Sequence, residues 1–199
     1  MDKRKPKRIK TKESILVLCE GDTEFSYVKD VIPKGLSIAV ERVGGGGYAK
    51  IINFIERRQK FFSVILVVCD LDRAVNIPNE QSVLSGLIRK LQEVSSKNNI
   101  FLTYESIEYW FACGLGLFEG DYLASLSQLG YKKGSSVAQW LQEKQFSAED
   151  AKNACCRMAR EEYYFYKDTP GKRCSPNKQN LEKRQSTVWM LLDYIKKCN

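Results

Sequence analysis

Two carboxylates, Asp70 and Asp72, follow directly on the apolar run Val64-Ile65-Leu66-Val67-Val68-Cys69. A third, Glu20, closes the similar run Ser14-Ile15-Leu16-Val17-Leu18-Cys19, and Gly21-Asp22-Thr23-Glu24 comes next. Clustered oxygen donors of this kind suit Mg2+ or Mn2+ better than zinc. A solvated exit from strand to loop would leave the same acids behind the same run, and the stretch 64–72 alone does not separate the two readings. The repetition, strand–Glu–turn–helix and later strand–Asp-x-Asp, is more specific than either half. The chain has no histidine. That removes Ser-His and Cys-His catalysis, histidine general bases and His-dependent zinc sites. Any chemistry must run on carboxylates, lysine, tyrosine or a metal ion.

Such acids need a scaffold that brings distant segments together. Continuous β-branched runs read as strands buried on both faces, the kind found in parallel sheets. If the extended backbone continues through Asp70-Leu71-Asp72, the two acids point the same way, because strand side chains alternate. The spacing predicts strands near 14–19, 36–43, 64–69 and 100–104, and helices near 23–32, from the glycines to about 62, and 80–97. This β-α-β-α-β-α-β order implies right-handed crossovers and one parallel sheet. With the first and third strands adjacent, Glu20, Asp70 and Asp72 would converge at one edge, where open α/β sheets place their ligands. Gly44-Gly45-Gly46-Gly47 lies between a strand and a helix, where backbone N–H groups can touch a phosphate. It has neither a P-loop ending nor a dinucleotide fingerprint, and reads as a flexible loop beside the site. Asp22 or Thr23 can cap the first helix, with Glu24 at the positive end of its dipole.

Glu105-Ser106-Ile107-Glu108-Tyr109-Trp110-Phe111 reads as a helix start with aromatics in the core. Glu108 could also face the site as a ligand or water-positioning group. Beyond residue 121 short helices are expected at 121–130, 135–143 and 148–166, the last begun by the capping box Ser147–Asp150. Tyr163-Tyr164-Phe165-Tyr166, among Arg157, Arg160 and Lys167, can stack bases or form a wide apolar stripe. Residues 168–185 read as a basic surface loop, and 187–197 as an amphipathic helix. The expected division is a basic disordered tail at 1–13, an α/β domain at 14–120 and a helical extension at 121–199.

The chain has 199 residues with 43% hydrophobic and 28% charged content, as expected of a soluble globular protein. No apolar run approaches the ~20 residues of a membrane span, and the basic start has no apolar core of a secretory signal. Seven cysteines without metal-type spacing read as reduced, mostly buried thiols of a cytoplasmic protein. The formal charge is +8, and residues 1–12 carry seven Lys or Arg and one Asp, six of those eight net charges. A basic arm, Lys3, Arg4, Lys5, Lys7 and Arg8, favours phosphate backbones through counterion release, or acts only as a solubility tail. Lys132, Lys172 and Arg173 are further candidates for nucleic-acid contact.

The order of these motifs resembles Toprim domains of the RloB/AbiLii type. Cys19-Glu20-Gly21-Asp22-Thr23-Glu24 is similar to their E-G-x-T-E opening, Cys69-Asp70-Leu71-Asp72-Arg73 to their Asp-x-Asp segment, and Ile107-Glu108-Tyr109-Trp110-Phe111 to the Glu-x-Trp segment after their last parallel strand. The family's Asn-Pro before that glutamate is replaced here by Tyr104-Glu105-Ser106. Tyr131-Lys132-Lys133 and Ser186-Thr187-Val188 look like later landmarks. The resemblance spans about residues 14–195. It implies an α/β, Toprim-like four-stranded parallel sheet flanked by helices, with a mainly helical C-terminal extension. It also implies a Mg2+-dependent (or Mn2+-dependent) nuclease acting on DNA or RNA in anti-phage defence, through abortive infection or beside restriction systems, often with an ABC-type ATPase partner. On this reading Glu20, Asp70 and Asp72 are catalytic and metal-binding. Glu24, Arg73 and Glu108 support them or orient phosphate. Two other functions fit the residues: a nucleic-acid-binding or regulatory subunit with a vestigial site, and a phosphotransfer enzyme with an Asp-x-Asp nucleophile. The second lacks the hydroxyl wanted after the second acid, since Arg73-Ala74 stands there.

Overall fold

The computed structural model describes residues 14–94, 99–104, 106–133, 137–158 and 188–197. The first half alternates strand and helix: β1 (Ile15–Cys19), α1 (Asp22–Val31), β2 (Ile38–Arg42), α2 (Gly47–Arg58), β3 (Val64–Asp70), α3 (Asp72–Asn76), α4 (Pro78–Val94) and β4 (Asn99–Thr103). The second half is helical: α5 (Ile107–Gly114), α6 (Tyr122–Gln128), α7 (Val137–Glu143), α8 (Ala148–Met158) and α9 (Val188–Lys197). The architecture is the α/β arrangement implied by the sequence, a four-stranded all-parallel sheet flanked by helices with a helical C-terminal part.

The strands lie in the order β2-β1-β3-β4, all pairs parallel. The unbroken apolar runs follow from burial on both faces. Val17, Cys19, Leu66, Val68 and Phe101 face one layer, built from α1, α5 to α9. Leu16, Leu18, Ile65, Val67 and Cys69 face the other, under α2 and α4. The chain steps from β1 to β2 in one direction with α1 on the first face. It then steps back past β1 to β3, and on to β4, with α2 and α4 on the second face. Reversing direction and face together keeps every crossover of one hand.

The layers are pinned by a few polar contacts. Trp110 Nε1 donates to Tyr27 Oη at 3.1 Å, so the buried indole of α5 is satisfied by α1. The amide of Asp150 donates to Ser147 Oγ at 3.1 Å, the forward half of the capping box expected at α8. Cys19, Cys69, Cys113 and Cys155 are buried cysteines outside any disulfide. Among the described residues, no helix is long and apolar enough to cross a membrane.

Some expectations change. The extended backbone does not run through Asp72: β3 ends at Asp70, Leu71 is αR (φ −90°, ψ −9°), and Asp72 opens α3. The two acids are therefore not set in line by strand alternation. The helix expected over 80–97 starts earlier, at Pro78, whose fixed φ and missing N–H suit a first helical position. The helix expected to reach about 62 stops at Arg58, leaving Phe61 60% exposed. The basic arm at 3–8, the aromatic cluster at 163–166 and the basic loop with Lys172 and Arg173 lie outside the described residues.

Candidate functional site

The chain leaves β1 toward one face of the sheet and leaves β3, its neighbour, toward the other. The gap between the carboxyl ends of β1 and β3 is thus a topological switch point, where doubly wound sheets bind ligands. Glu20 and Asp70 stand on its two sides. Glu20 extends the ladder, its N–H donating to the carbonyl of Val68 at 3.0 Å. Its Oε2 accepts from the backbone N–H of Asp70 at 3.2 Å. Asp70 pairs in register with Thr103 of β4, and the Thr103 hydroxyl donates to Asp70 Oδ1. Behind them, Tyr48 Oη donates to the Asp70 carbonyl at 2.8 Å and accepts from the Ala74 N–H at 3.3 Å. One buried hydroxyl therefore fixes the turn from β3 into α3.

Two more acids stand behind this pair. Glu24 lies on the buried face of α1, 5% exposed, and its Oε2 accepts from the Gly21 N–H at 3.0 Å. Neither Asp22 nor Thr23 caps the helix; Gly21 is the N-cap and Asp22 the first helical residue. Glu108 is 3% exposed, and Tyr131 Oη donates to its Oε1 at 2.7 Å. Tyr109, Trp110 and Phe111 fill the core as expected.

Buried acids this close resist ionising together. Burial, then Glu24 and Asp72, push the Glu20 carboxyl up to about 7, against the opposing pull of the Asp70 N–H and of Arg73. Burial, then Glu24, hold Asp70 well above the usual carboxylate range, although the Thr103 hydroxyl favours its charged form. Glu24 is raised by burial and then by Glu108. The thiols of Cys19 and Cys69, packed directly beneath, are raised by burial first and by these acids second.

Asp72 is exposed, its Oδ1 accepting from the Arg73 N–H at 2.6 Å. Arg73 Nη2 donates to Glu80 Oε1 at 2.6 Å, so part of its charge is matched by α4. Its Nε is buried against Gly47 with no hydrogen-bond partner. The Gly44–Gly47 run sits beside the site as expected: the Gly45 N–H donates to the Glu20 carbonyl at 2.8 Å, and all four glycines have positive φ. Lys132 is exposed in the turn after α6.

The donors are chemically suited to a hard divalent cation: oxygen only, partly buried, and raised in pKa by burial first and then by a mutual repulsion that a cation would relieve. In their present side-chain positions, no three Cys, Asp or Glu among the described residues surround a point where a metal ion could sit. Sequence reasoning missed Thr103 and Tyr48, which hold Asp70. Thr103 carries a faint signal, a hydroxyl at the carboxyl end of an apolar strand; Tyr48 carries none, since its role depends on a contact 22 positions away. Compared with models of known protein families, with curated proteins and with solved structures, the chain gave no match.

Proposed function

We propose that this chain is a metal-dependent nuclease of the Toprim type, hydrolysing phosphodiester bonds of DNA or RNA as an effector of anti-phage defence. The observation that carries the chemistry is the pair Glu20 and Asp70 across the switch point, joined by a hydrogen bond from the Asp70 backbone N–H, with Asp72, Glu24 and Glu108 near enough to act on their charge. The defence role, the Mg2+ or Mn2+ requirement and an ABC-type ATPase partner rest on the motif resemblance.

Asp70 and Asp72 are the residues that would hold a divalent ion, with Glu20 completing the set or serving as base. A bound ion would lower the pKa of its water and offset charge on the leaving oxygen. Glu20, with a carboxyl pushed up to about 7, can take a proton from an attacking water near neutral pH. Asp70 is oriented by Thr103 on one side and by its backbone N–H bond to Glu20 on the other. Arg73 is placed to orient a phosphate, its charge shared with Glu80.

Alanine at Glu20, Asp70 or Asp72 should abolish Mg2+-dependent cleavage, or toxicity in cells, with the fold kept. Cleavage at full rate in EDTA by folded wild-type protein would sink the mechanism. A second reading is favoured by the open arrangement of the acids. On it, the chain is a nucleic-acid-binding or regulatory subunit whose site stays silent until a partner assembles. Its signature is biological function unchanged by Glu20→Gln.

A further inference from the structure

A cleft of about 580 Å3 opens on the outer side of the acidic cluster, within the range of about 300–1,000 Å3 usual for small-ligand sites. Asp72 and Glu108 belong both to this cleft and to the cluster. Its remaining walls come from α3 (Val75, Asn76), from α6 (Tyr122, Leu123, Ser127) and from Ser106, Tyr131 and Lys133. The lining combines two tyrosine rings, two aliphatic side chains, four hydroxyls, one amide and one ammonium group with the two carboxylates that it shares with the cluster.

This mixture matches one unstacked nucleotide. The Tyr122 ring is half-buried and braced edge-to-face on Tyr109, with centroids 5.2 Å apart, and Tyr109 is braced on Tyr104 at 5.8 Å. A ring held from behind is a stacking platform with little rotamer freedom left to lose. Leu123, 48% exposed, forms an apolar lip beside it. Ser106 and Asn76 offer donors and acceptors to base edges, Ser127, whose hydroxyl donates to the Leu123 carbonyl at 2.8 Å, offers an acceptor, and Lys133 is exposed, where it can meet a phosphate. A paired base stays stacked inside its duplex and reaches such a cleft only if it is extruded.

We propose that the cleft between α3 and α6 holds one unpaired nucleotide of a nucleic-acid strand, so that the strand reaches the acidic cluster at a single-stranded position. The proposal deepens the nucleolytic reading and rests on it for what happens to the strand after binding.

The test separates binding from cleavage. Fluorescence anisotropy in EDTA compares a labelled single strand of about twelve nucleotides with a hairpin duplex of the same sequence, each as DNA and as RNA. The wild-type chain should bind the single strand about tenfold tighter than the duplex. Ser127→Trp, which fills the cleft from an exposed helix position, should cut single-strand affinity about tenfold, the value of one base–aromatic stack, and leave duplex binding unchanged. A 4-thiopyrimidine in the single strand should photocrosslink to the peptide holding Tyr122 or Lys133, a readout on the wild-type chain that needs no variant to fold. Equal or tighter duplex binding, unchanged affinity in folded Ser127→Trp, or crosslinks mapping only elsewhere would overturn the proposal. Single-strand binding lost in Ser127→Trp, with no cleavage in Mg2+ under any condition, keeps the cleft and removes the nuclease. Cleavage of duplex and single strand alike, untouched by Ser127→Trp, keeps the nuclease and removes the cleft.

Discussion

Glu20 Oε2 accepts the backbone N–H of Asp70 at 3.2 Å, a bond between residues 50 positions apart in the chain. It favours the charged form of Glu20, while burial and the neighbouring acids favour the neutral form and prevail, leaving the carboxyl at about 7 instead of its ordinary 4.5. A raised carboxyl means that the folded chain holds a proton the unfolded chain has released. Its contribution to stability is present below about pH 4.5 and is lost as pH rises through about 7. In divalent-free buffer the melting temperature should therefore fall between about pH 5 and about pH 8, and Glu20→Gln should flatten the slope. A melting temperature that climbs over this interval would contradict the electrostatic picture.

A divalent cation should act most where these acids are ionised. Added Mg2+ or Mn2+ is expected to raise the melting temperature more at about pH 8 than at about pH 5, and EDTA to reverse the gain. Asp70→Asn should abolish that response. Calorimetry reads it directly; an identical response in Asp70→Asn would place the ion elsewhere.

Thr103→Val keeps the shape of the side chain and removes the hydroxyl that donates to Asp70 Oδ1. Because that bond lowers the Asp70 pKa, its loss should raise the carboxyl further and move the pH profile of cleavage upward. The expected stability cost is about 1 kcal/mol, measured by urea titration. An unmoved profile would show that Thr103 serves packing alone.

Gly47 combines φ +74° with a backbone so close to Arg73 that an added Cβ would lie 2.7 Å from its Nε. Gly45 has a similar φ, +69°, with nothing within 4 Å. Alanine at Gly45 should cost only backbone strain, about 1–2 kcal/mol. Alanine at Gly47 should cost more and also displace Arg73 from Glu80. Equal losses in denaturant titrations would mean that the guanidinium moves aside freely.

Tyr131→Phe removes the hydroxyl that donates to the buried Glu108 carboxyl. Leaving a buried acid short of a donor should cost about 1–3 kcal/mol. Chemical denaturation beside the wild type checks this, and a loss below about 0.5 kcal/mol would show that water replaces the phenol.

Much of the sheet is legible in the sequence. Val64–Cys69 and Ile15–Cys19 are apolar without a break because both faces of β1 and β3 are covered, and that is visible in sequence. The position of Glu20 and Asp70 at strand ends was readable for the same reason. The turn at Leu71 was not, because Asp70-Leu71-Asp72-Arg73-Ala74 contains neither glycine nor proline to mark it. What bends the chain there is the Tyr48 hydroxyl, together with the bond from the Leu71 N–H to the Thr103 carbonyl. Both come from other elements, and no local pattern encodes them. The same holds for Glu108: its place in an aromatic helix start was legible, its phenol partner in a later loop was not.

The strand order β2-β1-β3-β4 also governs when the acids first meet. β1 and β3 pair only after the intervening strand and two helices have been looped out, a slow, non-local closure. Glu20 and Asp70 are thus expected to meet late in folding, with their repulsion felt as the central ladder closes. A mildly acidic medium, or a cation already in solution, should then speed refolding, as read by stopped-flow fluorescence.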